Sequence, residues 1–334
     1  EYEDELMGEC VSEVSTHEVG PAIDLVHNME ASYSTPLEKL RGPEWTKKYG
    51  HTASVMDYTR FNYVAQPGDG VKELMPRIND YDIWAVKWGY GPRDFNLNEQ
   101  QEKEFSNEQI KEAWKDPRLI FYSEFSDTDP RCQMEDLGDN SMFASEYGIN
   151  NLKFIVPNLV EWSCRSGEGY SDLRRIYSEI TTQFKQYMEH VCTNIGGIYQ
   201  DNVTFDMKAP VFREVPARLQ QDAVSFLCNN LFTTPFWLID PSVTGKLDSR
   251  GGVETIRRLQ GDILKKLFSK ARVTNLSSGR EYTLEKMINE FRLHIFKKEE
   301  PDVFRRNLQK VYIKTLCESV KSLREESSDV SCLL

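Results

Sequence analysis

A chain of 334 residues with 39% hydrophobic and 28% charged side chains can bury a sizeable core, and its length suggests about two domains. The net charge of -12, from 41 Lys and Arg against 53 Asp and Glu, would repel a phosphate backbone, and no segregated basic patch offsets it. No apolar run approaches the roughly 20 residues of a bilayer span, so neither nucleic acid nor a membrane-spanning helix is expected.

The acidic opening, Glu1 to Glu5, leads straight into a helical pattern without the charged-then-apolar order of a signal peptide. Leu6, Met7, Cys10, Val11 and Val14 recur at three- and four-residue spacing, which predicts an amphipathic helix running towards His17 and Glu18 and stopped by Gly20-Pro21. A turn-rich stretch covers 28–69, and a short helix is predicted around Tyr81 to Trp88, ending at Gly89. The polar stretch Asn96 to Ser106 reads as a connector, with Ser106 and Gln109 resembling a capping box that opens the next helix. Residues 1–92 and 105–334 are therefore taken as separate domains, the second helical.

In that second part Ser171 can cap a helix striped by Leu173, Ile176, Ile180, Phe184 and Met188, and Pro216 fits the first position of another. Further stripes run through Ile256, Leu259, Ile263 and Leu267, through Leu284, Met287, Ile288 and Phe291, and through Phe304, Leu308 and Val311. Core packing accounts for all of them. The seven cysteines, Cys10, Cys132, Cys164, Cys192, Cys228, Cys317 and Cys332, are scattered, contain no CxxC pair, and specify neither a disulfide framework nor a zinc ribbon.

Chemistry concentrates in THEVGPAIDLVHN, residues 16–28. A helix bearing HExxH presents two imidazoles on one face to zinc, while the intervening Glu activates the metal-bound water. The elongated form HExxHxxGxxH adds a third imidazole after a glycine turn, followed downstream by a methionine turn. His17, Glu18 and His27 hold the first, second and last of those positions, while Pro21 and Asp24 stand at the second histidine and the glycine. Alone, such a His-Glu pair is an ordinary surface pair, but SVMDY at 54–58 is similar to the metzincin Met-turn, with Met56 as its methionine.

Longer strings carry a closer resemblance. DELMGE near the start, HNMEASY at 27–33, SVMDYTRFNYVAQPGD at 54–69, YDIWAVKWGY at 81–90 and DPRCQMEDLGDN at 129–140 resemble the Met-zincin domain of large bacterial zinc-dependent metallopeptidases. ASEYGINNLKFIVPNLVEW at 144–162, HVCTNIGGIY at 190–199 and LFTTPFWL at 231–238 extend it over most of the chain. The resemblance implies a mainly α fold: the C-terminal half of a metzincin catalytic unit, with active-site helix, loops and Met-turn, followed by a multi-helix domain. It implies a zinc endopeptidase acting on peptide or protein substrates and exported to the periplasm or cell surface. It also implies a missing upstream part of the same catalytic domain, so the chain is expected to be a fragment. His17 and His27 would be metal ligands, Glu18 the base, Tyr58 a support for the tetrahedral intermediate, and Met56 the floor.

The departures have physical consequences. Proline offers no metal-binding atom, so zinc binding is expected to be weakened or lost, and without zinc Glu18 has no polarised water to deprotonate. Pro21 also lacks an N–H and its ring opposes the carbonyl of residue 17, so the helix is expected to end a turn early or kink beside His17. Asp24 at a position needing left-handed backbone carries a penalty of roughly 1 kcal/mol. Asp24 and His51 are the candidates for a substitute ligand, neither well placed by spacing. A non-catalytic pseudopeptidase that binds peptides or proteins is the alternative to an impaired enzyme. The acidic stretch from Asp127 to Asp139 lacks the glycine and terminal Glu of a calcium loop and reads as turns leading into a helix near Asn140 and Ser141. Gly196-Gly197 and Gly251-Gly252 do not form phosphate-binding loops, and no nucleophile elbow supports a serine hydrolase.

Overall fold

A computed structural model describes the backbone of residues 4–93, 96–297 and 302–331, with side chains to residue 321. The chain is mainly α, as expected, and divides into two compact units: residues 1–147 with 199–213, and residues 148–198 with 214–334. The sequence reading set its break between residues 92 and 105; the compact units divide inside a helix at Tyr147 and Gly148.

Unit 1 contains α1 (Asp4–Ala22), α2 (Pro43–Tyr49), α3 (Asp80–Tyr90) and α4 (Glu99–Ala113), linked by long turns and short 3-10 segments, and the first residues of α5 (Ser141–Ser163). Where a connector was expected, α4 begins at Glu99, seven residues before Ser106. Asn98 accepts from the Gln101 N–H while the Gln101 side chain reaches back to the Asn98 N–H, a complete capping box. The polar composition marks a solvated helix of strong helix formers rather than a linker. The acidic turns do lead into α5, whose first N–H groups, those of Met142 and Phe143, are received by the Asn140 side chain.

Unit 2 holds α6 (Ser171–Thr193), α7 (Ala217–Leu227), α8 (Pro241–Leu247), α9 (Val253–Leu267), α10 (Lys270–Ser278), α11 (Leu284–Ile295) and α12 (Val303–Ser331). Two strands, β1 (Ile198–Gln200) and β2 (Phe212–Glu214), pair with each other. The stripes read from periodicity face inward: Leu173, Ile180, Phe184 and Met188 of α6 are buried, as are Ile256, Leu259, Ile263 and Leu267 of α9, and these two helices pack together. Each such side chain contributes about 1.5–3 kcal/mol of transfer free energy. Gly148 lets α5 pass the Tyr187 ring, since a Cβ there would lie 2.4 Å from Tyr187 Cζ. Among the described residues six cysteines are free thiols, whereas Cys332 lies outside the description.

The C-terminus of α6 ends on a buried cation. Arg272, at 2% exposure, donates to the Ile195 carbonyl at 2.5 Å, just past the helix end, and adds a 2.8 Å bond to the Cys192 carbonyl, which also accepts from the Ile195 N–H. Arg272→Met keeps the stem but removes these charged bonds and leaves the Ile195 carbonyl without its guanidinium donor, so urea unfolding is expected to show a loss of about 2–4 kcal/mol, given about 1.5–3 kcal/mol for a hydrogen bond to a charged group. A loss below about 0.5 kcal/mol would mean that water replaces the guanidinium without penalty.

Candidate metal centre

The motif helix is α1, and it does not stop beside His17. It continues through Pro21 to Ala22, which corrects the expected early ending. Pro21 occupies the last turn, where the missing N–H forfeits only the bond to the His17 carbonyl. The chain then closes in a Schellman arrangement: Asp24 N–H donates to the Pro21 carbonyl at 3.2 Å, and Leu25 N–H to the Gly20 carbonyl at 3.1 Å. Asp24 sits at the left-handed position with φ 60°, the conformation that the motif assigns to glycine.

This reversal carries His27 back over the helix. His17 and His27 face each other with their Nε2 atoms 3.2 Å apart and their rings stacked at 5.2 Å. His17 Nδ1 lies 2.7 Å from the Val55 carbonyl, and only an N–H can face a carbonyl, so the proton sits on Nδ1 and Nε2 presents a lone pair. His27 Nε2 must then donate to it. Burial first, then repulsion from His17, hold the His27 imidazole below its ordinary pKa against the pull of Glu18, which favours the neutral form that ligates metal. In a tetrahedral site with zinc–nitrogen distances of about 2.0–2.1 Å, neighbouring nitrogens are about 3.3 Å apart. The two imidazoles therefore fit two corners of such a site.

Among the described residues no third donor joins them. Pro21 stands four residues after His17, and no group of three His, Cys, Asp or Glu able to hold a metal occurs among the described residues. Neither substitute candidate joins the pair. The Asp24 carboxylate accepts from the Tyr90 hydroxyl at 3.2 Å, and His51 is fully buried with neither ring nitrogen hydrogen-bonded. Tyr58 is 43% exposed, its ring 4.5 Å from that of His27 and 5.4 Å from that of His17. Glu18 is exposed and lines, with His17 and Tyr58, a cavity of about 520 Å³ that also touches Val14, Phe61 and Met75.

Beneath the imidazoles lies the turn of residues 54–57. Met56 is fully buried against Gly20, where a Cβ would fall 2.1 Å from the Met56 sulfur, so glycine is what permits the close approach of helix and turn. Asp82, the third residue of α3, sets the shape of the turn: it accepts from Ser54 Oγ at 2.5 Å, from Val55 N–H at 2.9 Å and from Asn79 N–H at 2.8 Å. Asn28 fixes the segment after His27. Its N–H donates to the Met56 carbonyl at 3.1 Å, and its side chain donates to the Ile120 carbonyl and accepts from Tyr122 N–H. Sequence reasoning missed both supports. Asp82 carried a signal, an acid three residues beyond an N-cap asparagine, but its partner turn is 27 residues away.

The motif helix, its reversing turn, the two facing imidazoles and the buried Met56 packed on Gly20 together resemble a metzincin-type centre. A Met-zincin family model matches residues 1–302, and the chain belongs to the Met-zincin family. No curated protein and no solved structure matches the chain.

Two measurements probe this scaffold. Gly20→Ala should lower stability by about 1–3 kcal/mol through overpacking against Met56, and the loss should shrink when Met56→Ala is added; additive losses would place the clash elsewhere. Burial holds the His51 imidazole down at about 3, so between that value and about 6.5 the unfolded chain binds a proton that the folded chain does not. Stability from this residue is thus complete above about pH 6.5 and lost as pH falls, with a limiting slope of about 1.4 kcal/mol per unit. Asp57, pushed up to about 7 chiefly by burial, slopes the opposite way, stability falling as pH rises from about 4 to 7. Both proteins share that contribution, so the stability of wild type relative to His51→Leu should fall on acidification from pH 6.5 to 4. A difference constant with pH would contradict a neutral buried His51.

Proposed function

We propose that this chain is a zinc-metallopeptidase-type protein whose metal site is reduced to two imidazoles, with weak zinc retention and strongly impaired peptide hydrolysis. The observation that carries this is the 3.2 Å Nε2–Nε2 pairing of His17 and His27 beside Pro21, which provides two donors where the motif provides three. Zinc, when bound, would polarise a substrate carbonyl and acidify water. Glu18, exposed beside His17, is the proton acceptor in this reading, and Tyr58 the hydroxyl donor towards the substrate carbonyl oxygen. The affinity loss exceeds the roughly 10–100-fold that removal of a second-shell partner costs.

A second reading, a pseudopeptidase that holds peptides or proteins without cutting them, is favoured by the retained cavity beside Glu18 and Tyr58. We also assign a further part of the catalytic unit to the exposed face of α1, where Met7, Val11 and Val14 are 46%, 60% and 55% exposed. Membership of the family supports export to the periplasm or cell surface, and among the described residues no helix is long and apolar enough to cross a membrane.

Equilibrium dialysis against zinc, followed by cleavage of a quenched fluorescent peptide library, tests the proposal. The unmodified chain should bind zinc at least about 100-fold more weakly than Pro21→His and Pro21→His with Asp24→Gly, since a complete ligand set replaces a partial one. Tight stoichiometric zinc and turnover in the unmodified chain would defeat the impairment. No gain in affinity in the Pro21→His variant would defeat the two-imidazole site.

A further inference from the structure

A second cavity, of about 600 Å³, lies in unit 1 beyond the reversing turn, and the metal chemistry makes no use of it. Its volume falls in the range of small-molecule sites, roughly 300–1,000 Å³. The walls are aromatic to an unusual degree: Trp84, Trp88 and Tyr90 come from α3, Trp114 from the end of α4, and Tyr81 and Phe121 close the inner side. Trp84 and Trp88 lie nearly parallel with centroids 6.1 Å apart, and Tyr81 stacks on Phe121 at 5.8 Å. These contacts, with the Trp88 N–H held at 3.4 Å by the Ser106 carbonyl, hold the rings as a preformed wall.

One carboxylate faces this wall among the described lining residues, and it is Asp24. Its backbone is held at φ 60°, a conformation costing a non-glycine residue roughly 1 kcal/mol, and its carboxylate lies 3.2 Å from the Tyr90 hydroxyl, whose one proton is shared with the Ile23 carbonyl at 3.0 Å. No Lys or Arg is among those lining residues to neutralise it. Ring faces carry negative quadrupole potential, and a carboxylate at their edge adds full negative charge, so the site attracts a cation that presents apolar surface. A hard metal ion finds too few oxygens there, and an anion finds no donor cluster.

We propose that this cavity binds a small organic cation, an aryl- or alkyl-substituted quaternary ammonium, with its charged head at Asp24 and its apolar body against Trp84, Trp88 and Trp114. The cavity shares no lining residue with the one beside His17 and Glu18, and the proposed binding does not depend on zinc or on peptide hydrolysis.

Benzyltrimethylammonium, titrated in EDTA while tryptophan fluorescence is followed, tests it, with benzyl alcohol as the uncharged control. Asp24→Asn removes the charge yet tolerates left-handed backbone, so the variant folds with the same turn. The expected result is saturable quenching by the cation, at least tenfold weaker binding of benzyl alcohol, and about tenfold weaker cation binding in Asp24→Asn, on the scale of a partly desolvated cation–π and ion-pair contact. The thermal midpoint should rise with the cation in wild type and much less in the variant. Equal binding of charged and uncharged ligands, undiminished binding in Asp24→Asn, or no saturable change would overturn the proposal.

Discussion

The hydrogen bond from His17 Nδ1 to the Val55 carbonyl, 2.7 Å long and buried, ties the motif helix to the turn beneath it, and the centre depends on it. It fixes the ring, sets the tautomer and aims Nε2 at His27. Val55 can offer its carbonyl because Asp82 holds the neighbouring N–H and the Ser54 hydroxyl, and Asp82 is positioned by the capped first turn of α3. Asn28 completes the circuit by joining the segment after His27 to the Met56 carbonyl. Four segments distant in sequence thus converge on two imidazoles through side-chain and backbone hydrogen bonds.

Pro21 leaves this architecture in place. A proline in a helix interior would break the ladder, but in the final turn of α1 the helix is already giving way to the Schellman closure through Gly20 and Pro21 carbonyls. The scaffold keeps its geometry, Asp24 accepts the left-handed position, and Met56 still packs on Gly20. Position 21 itself offers no side-chain metal donor. His17 and His27 thus face each other in a chain of the Met-zincin family, with no group of three such donors among the described residues.

Much of this was legible in the sequence where the signal is local. The His17, Glu18 and His27 spacing with Met56 downstream identified the residues that the fold brings together, because HExxH periodicity and a reversing turn are properties of short segments. The inward faces of α6 and α9 followed from helical period alone. The polar run before Ser106 was misread, since a solvated helix and a linker share a composition and only the Asn98–Gln101 cap separates them. Asp82 and Asn28 were invisible in their roles because their partners lie 27 and 92 residues away. His51, a candidate ligand by proximity to Met56, is a buried core residue, and nothing in its neighbours in sequence announces that.

The central claim is that His17 and His27, and no third side chain, form the protein's share of a metal site. Zinc-edge X-ray absorption on the chain loaded with one equivalent of zinc tests it most directly, because imidazole scattering counts histidines. The account predicts two imidazole nitrogens completed by oxygen ligands, falling to one in His27→Ala. Three imidazoles, or none, would contradict it.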